Sequence, residues 1–449
     1  YRDQTFMMAI GELTIEQFFA GLYANTNLEL EPMSAGRQMG GHFTTHSLDD
    51  NGNWKDLTKQ YNSSADISCT AGQMPRLLGL AQASKIFRQV EGIDTTNFSN
   101  NGNEVAWGTI GNASTSEGLF FETINAAGVL QVPMIISVWD DEYGISVHAK
   151  HQTTKENISE ILKGFQRDNE QNGYEILRVK GWEYANLIEP YQEASAIARE
   201  EHVPVLIHVT ELTQPQGHST SGSHERYKSP ERLEWENKHD CNLKMREWII
   251  ESGIATNETL TEIERNLKKE VREAKKNAWT TFLKPIQNEQ QELISILNNL
   301  IASSTNGVFI KPIQEKLSAI DEPTRRDILS YARKALRYTL GDANEVKQEL
   351  ANWINSIFDK IQPKFSSHLY SETEKSSVLV DEIKPSYDND AILVDGRIII
   401  RDNFDAIFKN YPEALVFGED SGSIGDVNQG LEGLQEKYGE LRVADAGIR

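Results

Sequence analysis

Cysteine is almost missing from this 449-residue chain: Cys69 and Cys241 are the only two. Two are too few for a disulfide framework and their spacing fits no zinc site, so a reducing, cytoplasmic setting is expected. Long apolar runs are missing as well. No stretch approaches the roughly 18 apolar residues of a membrane span, and no signal-peptide pattern leads the chain, so a water-soluble protein is expected. Basic charge is scarce, with 45 Lys and Arg against 67 Asp and Glu and a net charge of −22. That balance argues against nucleic acid or an anionic membrane as the main partner. An anionic ligand would therefore need its own local Arg, Lys, His or metal. The chain opens on Tyr1 rather than Met, which reads as a natural beginning lying upstream.

The length suits about three domains. Residues 1–230 read as α/β. Helical runs at Thr14 to Tyr23, Gln73 to Val90 and Gln192 to Glu201 alternate with strand-like runs at Ile135 to Val138, Ile176 to Val179 and Val203 to Val209. Residues 231–380 read as a helical region and linker. There Leu260, Ile263, Leu267, Val271, Ala274 and Ala278 recur at spacings of three and four, which predicts one packed face and one solvated face. After a polar stretch containing Pro385, residues 381–449 restart a helix and strand pattern, the beginning of a second α/β domain.

Residues 108–146 hold the densest chemistry. One strand-like run ends at Gly111, Asn112 and Ala113, a second ends at Asp140 and Asp141, and a helix-like run lies between them. Ser114 and Glu117 predict a capping box, and Leu119, Phe120 and Ile124 a buried face. A right-handed crossover makes the strands parallel and brings both ends to the carboxyl edge of the sheet, where open α/β folds bind ligands. Gly111 and Ala113 lack bulk, so an anion can approach the backbone there, and hard oxygens from Asn112 and Asp141 suit magnesium held jointly with phosphate. Taken alone, the same words also describe a plain turn followed by a solvated Asp pair. A second feature is the locally basic loop Gln214 to Pro230, in which His218 is either a solvated loop histidine or a proton shuttle and phosphate contact.

Several segments then occur in a recognisable order. Tyr1-Arg2, Gly36-Arg37-Gln38-Met39, Ile67-Ser68 with Gln73-Met74-Pro75, the Gly111 to Gly118 run, Tyr143-Gly144-Ile145-Ser146 and His218-Ser219-Thr220-Ser221 resemble the α subunit of thiamine-diphosphate-dependent 2-oxoacid dehydrogenases, the branched-chain type above all. Residues 395–449 resemble the start of the β subunit through Gly418-Glu419-Asp420, Gly430-Leu431 and Glu436-Lys437-Tyr438-Gly439. Together they resemble an α and β fusion.

The resemblance implies a thiamine-diphosphate-binding α/β fold with a parallel sheet flanked by helices. It implies thiamine diphosphate and Mg2+ as cofactors, with Asn112, Asp141 and the Tyr143 carbonyl as metal ligands. The family motif reads Gly-Asp-Gly and, further on, Asn-Asn, so in this chain an Asp and an Asn have exchanged places while one carboxylate is kept. Tyr1, Arg2, Ser68, Thr70, Gly111, Ala113, Ser114 and Ile145 match cofactor-contacting positions, and His218 matches the catalytic loop histidine. The implied activity is oxidative decarboxylation of a branched-chain 2-oxo acid or pyruvate, with acyl transfer to the lipoyl group of a partner acyltransferase. A homodimer of fused chains, equivalent to an α2β2 assembly, is implied too, as is a glutamate immediately after Arg449. A transketolase-like enzyme and a non-catalytic cofactor-binding protein are the alternatives.

Overall fold

A computed structural model describes residues 3–37, 43–64, 67, 69–215, 217–218, 223–342, 345–366 and 370–448. Tyr1, Arg2 and Ser68 lie outside the described residues. The chain forms two compact units, one of Tyr1–Trp54, Tyr61–Asp66 and Thr261–Glu382, the other of Lys55–Gln60, Ile67–Leu260 and Ile383–Arg449.

The second unit is α/β. Strands β1 (Ala106–Gly111), β2 (Met134–Trp139), β5 (Glu175–Lys180) and β6 (Val205–Thr210) form one parallel sheet in the order β1-β2-β6-β5, while β3 (Tyr143–Gly144) and β4 (Val147–His148) make a short antiparallel ribbon. The two central strands, Met-Ile-Ile-Ser-Val-Trp and Val-Leu-Ile-His-Val-Thr, are buried almost throughout. Continuous apolar text is what a strand covered on both faces requires. On one face Ile110, Ile136, Val138 and Leu206 pack on Met74, Leu77 and Ala81 of the helix Met74–Gln89 and on Phe120 and Ile124 of the helix Gly118–Leu130. On the other, Ile135, Val205, Ile207 and Val209 meet Ala194 and Ala198 of the helix Tyr184–Glu201.

The first crossover departs from expectation at its start. Residues Ala113–Ser116 form a 3-10 turn, and the following helix begins only at Gly118. Glu117 donates its N–H to the Ser114 carbonyl at 3.2 Å, so these two residues close the turn instead of forming a capping box. Starting the helix later also rotates its faces: Phe120, Thr123, Ile124, Ala126 and Ala127 are buried, while Leu119 is 38% exposed.

In the first unit the helix Asn257–Ser303, from Thr261 onward, packs with Gly307–Ser318, Arg325–Tyr338 and Glu345–Ser366. Their common core contains Leu293, Leu297, Leu300, Ile310, Leu317, Ile328, Ala332 and Leu350. The predicted stripe is only half used. Ala274 and Ala278 are buried, whereas Ile263, Leu267 and Val271 are exposed, because an amphipathic pattern buries nothing until another element lies against it.

The closing segment runs through the helix Gly396–Asn410 to β7 (Val416–Gly418) and β8 (Val443–Asp445), which pair in parallel over Phe408, Leu431, Leu434 and Val443. Among the described residues no helix is long and apolar enough to cross a membrane.

Candidate cofactor site at the sheet edge

The ends of β1 and β2 create the candidate site. Beyond Gly111, the Asn112 N–H still bonds the Trp139 carbonyl at 3.0 Å, and its own carbonyl accepts the Thr115 hydroxyl at 2.6 Å. Asn112 is thus buried at the mouth of the turn, beside the end of β2. Asp140 remains part of the sheet, its N–H bonded to the Val209 carbonyl at 2.9 Å. Asp141 is the first residue to leave it. Its Oδ1 accepts the Tyr143 N–H at 3.2 Å, and its Oδ2 accepts Gln214 Nε2 at 2.7 Å.

The β3–β4 ribbon folds onto the turn after β1. A Cβ on Gly144 would lie 2.6 Å from the Ala113 Cβ. Ala113 occupies the position of the second glycine in the Gly-Asp-Gly wording, and its methyl finds room because the facing residue is Gly144. Gly144→Ala is therefore expected to destabilise the chain by about 1–3 kcal/mol, the usual cost of overpacking. Urea unfolding checks this, and adding Ala113→Gly to the same variant should restore part of the loss, the rest coming from Gln152 Oε1, which the new Cβ would meet at 2.8 Å.

Within the ribbon the ladder bond runs from the Ala149 N–H to the Glu142 carbonyl at 2.8 Å. Tyr143, opposite His148, is then at a non-hydrogen-bonded position whose carbonyl the ladder does not use. Ile145 turns the ribbon with φ +58°, a left-handed conformation that a β-branched residue rarely adopts, and it is 53% exposed. Gly111 has open space before it, since an added Cβ would meet only Ser114 Oγ, at 3.9 Å.

Charge is concentrated on the far side of Asp141. Lys228 Nζ lies 2.7 Å from Glu236 Oε1, both side chains being almost fully buried, and Arg232 Nε reaches the same oxygen at 2.9 Å. Arg232 also binds Glu142 and donates to the Asp141 carbonyl at 3.2 Å. Lys228 sits 4.9 Å from the centre of the Tyr143 ring, a cation–π contact. Burial raises the Asp141 pKa, with the Asp140 and Glu236 charges adding to it, while the Tyr143 N–H and Lys228 oppose the shift. Leaving His208 aside, four carboxylates (Asp140, Asp141, Glu142, Glu236) gather around two permanent cations (Lys228, Arg232), a surplus of two negative charges.

That surplus, an Asp carboxylate, an Asn amide and a spare carbonyl are a donor set fit for a hard divalent cation. Among the described residues no three His, Cys, Asp or Glu side chains converge as metal ligands. A cation here would be held through one carboxylate with amide and carbonyl oxygens.

Asn112, Ala113, Asp141, Tyr143 and the strained Ile145 are thus brought to one edge. Thr70 is exposed in the turn before the helix Met74–Gln89, a segment tied to β1 by Gln73 Nε2 donating to the Thr109 carbonyl at 3.3 Å. His218 is exposed, in the loop whose root, Gln214, is bonded to Asp141. Sequence reasoning passed over the Lys228–Glu236 pair and His208, a histidine inside the apolar run of β6. Its signal was that lone polar residue in a strand buried on both faces.

A parallel sheet with a crossover from β1 to β2, and polar groups at the carboxyl ends of both strands, makes this an open-sheet α/β protein, a class whose ligands bind at that edge. The family model described as "Dehydrogenase E1 component" matches residues 1–286, and the chain belongs to that family. It is 27% identical over 290 residues to the 2-oxoisovalerate dehydrogenase subunit alpha 2, mitochondrial, of Arabidopsis thaliana, covering 64% of this chain and 53% of the relative. It is 26% identical over 258 residues to the 2-oxoisovalerate dehydrogenase subunit alpha of Bacillus subtilis, covering 58% and 67%. With the pyruvate dehydrogenase E1 component subunit alpha of Rickettsia bellii it shares 22% identity over 192 residues, covering 43% and 55%. The chain thus spans about half to two thirds of the length of these relatives. Membership of the family implies thiamine diphosphate as cofactor.

Proposed function

We propose that this chain is the thiamine-diphosphate-dependent component of a 2-oxoacid dehydrogenase complex, decarboxylating a branched-chain 2-oxo acid or pyruvate and passing the acyl group to the lipoyl group of a partner acyltransferase. What supports the reading is that Asn112 follows the end of β1, Asp141 follows the end of the neighbouring β2 and accepts the Tyr143 N–H, and the backbone at Gly111 has open space before it. The names of the relatives support the substrate class, two being 2-oxoisovalerate and one pyruvate dehydrogenase subunits. The bound cofactor supplies the electron sink for decarboxylation.

The chain's own residues bind and orient. Asn112, Asp141 and Tyr143 would hold Mg2+, while Gly111, Ala113 and Ser114 leave their backbone open to the diphosphate. The left-handed turn at Ile145 would present backbone to the cofactor ring, with Thr70 near it. His218, on a loop anchored at the site by Gln214, would donate a proton during acyl transfer or bind phosphate. In the same reading residues 395–449, with the parallel β7–β8 pair, begin the β-like domain, and two fused chains make the equivalent of an α2β2 assembly.

Calorimetric titration of the full-length protein with thiamine diphosphate, with and without Mg2+, tests the reading. Tight binding only with Mg2+ is expected, and no binding under either condition overturns it. Rates on a panel of 2-oxo acids with an artificial electron acceptor then assign the substrate. His218→Ala is expected to slow lipoyl acylation about a hundredfold, the scale of a lost general acid, while decarboxylation with the artificial acceptor falls far less. Equal loss of both would refute the assigned role.

A further inference from the structure

Asp140 and Asp141 are neighbours in sequence with opposite surroundings. Asp140 points into the protein, where its Oδ2 lies 2.9 Å from Nε2 of His208, a residue of β6 with no exposed surface. The other ring nitrogen of His208, Nδ1, is 2.9 Å from Ser159 Oγ. Ser159 in turn donates to Asn157 Oδ1 at 2.9 Å, the oxygen that caps the helix Ile158–Ile161. Both ring nitrogens are therefore occupied, and the imidazole has no freedom to turn.

The remaining oxygen of Asp140 faces the site. Oδ1 accepts the Glu142 N–H at 2.8 Å, across the step that leaves the sheet. Glu142 is left-handed there, φ +68°, and this bend is what lets Asp141 bond back to the Tyr143 N–H and leaves the Tyr143 carbonyl outside the ladder. One buried carboxylate thus fixes the bend that carries two of the three candidate ligands. A histidine inside an apolar strand is ordinarily just a satisfied core residue. Here its partner is the residue next to a ligand, and without it a buried carboxylate would be left unpaired or would swing towards the site.

We infer that Asp140 and His208 are positioning residues: touching no ligand themselves, they hold Asp141 and the Tyr143 carbonyl in place for a divalent cation carrying a diphosphate. The inference rests on the proposed cofactor site. Groups that orient metal ligands in this way matter to affinity nearly as much as the ligands.

The test is Mn2+ binding to the full-length protein saturated with thiamine diphosphate, read from the electron paramagnetic resonance signal of free Mn2+, beside thermal unfolding of each variant. His208→Ala is expected to weaken Mn2+ binding about tenfold or more, whereas His208→Gln, whose amide can serve both Asp140 and Ser159, stays within about threefold of wild type. A purely structural role would lower the unfolding temperature without separating the two affinities. Wild-type affinity in His208→Ala, or equal weakening in both variants, overturns the inference and leaves the cofactor site standing. Should His208→Ala not fold, Ser159→Ala decides: it keeps the Asp140 contact but frees the ring, and an unchanged affinity overturns the inference. Wild-type protein that binds no Mn2+ overturns the cofactor site itself, and this inference with it.

Discussion

Asp141→Asn is expected to cost about a hundredfold in Mg2+-dependent affinity for thiamine diphosphate while making the cofactor-free chain more stable at neutral pH. Both effects come from one carboxylate. Asp141 is 8% exposed and its pKa is raised, first by burial and then by the Asp140 and Glu236 charges. A group whose folded pKa lies above its unfolded one contributes stability below the unfolded value, here the ordinary 3.8, and loses it as pH rises through the folded value. At neutral pH the ionised carboxylate therefore opposes folding, and a divalent cation offsets that cost when it binds. Asparagine keeps an oxygen for the Tyr143 N–H without the charge, and the Gln214 amide has only to turn to present its oxygen to the new amide nitrogen, so the apo chain is stabilised while the cation site is weakened. The scale follows from outer contacts to metal ligands, which are already worth about 10–100-fold in affinity. Calorimetry on Asp141→Asn, Asp141→Ala and Asn112→Ala, with thermal unfolding of each apo protein, checks both halves. Asn112→Ala should lose less than Asp141→Ala, because only Asp141 brings formal charge. Unaltered affinity in Asp141→Ala would exclude it as a ligand, and a fall in the apo stability of Asp141→Asn at neutral pH would contradict the electrostatic account.

Lys228→Met should cost about 3 kcal/mol of folding stability, near the lower end of what breaking a buried ion pair costs. Lys228 Nζ and Glu236 Oε1 are 2.7 Å apart with side chains 2% and 1% exposed. Glu236 Oε2 already has no hydrogen-bond partner among the described residues. Removing the ammonium leaves that carboxylate to Arg232 alone, in surroundings that penalise charge. Pairing the change with Glu236→Leu should recover much of the loss, since an apolar pair removes the stranded charge instead of exposing it. Urea unfolding of the single and double variants measures the difference. A loss under about 1 kcal/mol would place this pair with ordinary surface salt bridges.

Several features were legible because their cause is local. Runs such as Met-Ile-Ile-Ser-Val-Trp and Val-Leu-Ile-His-Val-Thr are too apolar for anything but covered strands, and the crossover rule makes them parallel without knowledge of the packing. The helix Ile15–Leu22 follows from its Thr14 capping box. Features that depend on what lies opposite were not legible. Ser114 and Glu117 have the wording of a capping box, yet the close of β1 draws them into a 3-10 turn. Ile263 and Val271 have the spacing of a packed stripe, and only the presence of partner helices decides where packing begins.

The sequence by itself determined the parallel α/β architecture, the placing of Asn112 and Asp141 at neighbouring strand ends, and the wording shared with the dehydrogenase E1 family, because apolar periodicity and short motifs are properties of adjacent residues. Only the tertiary structure decided what each of the two consecutive aspartates is bonded to. Asp140 is turned inward by His208, nearly seventy residues away in the chain, and Asp141 outward towards Tyr143 and Gln214. A carboxylate goes where its charge is best paired, and its partners here come from strands and loops that only folding brings together.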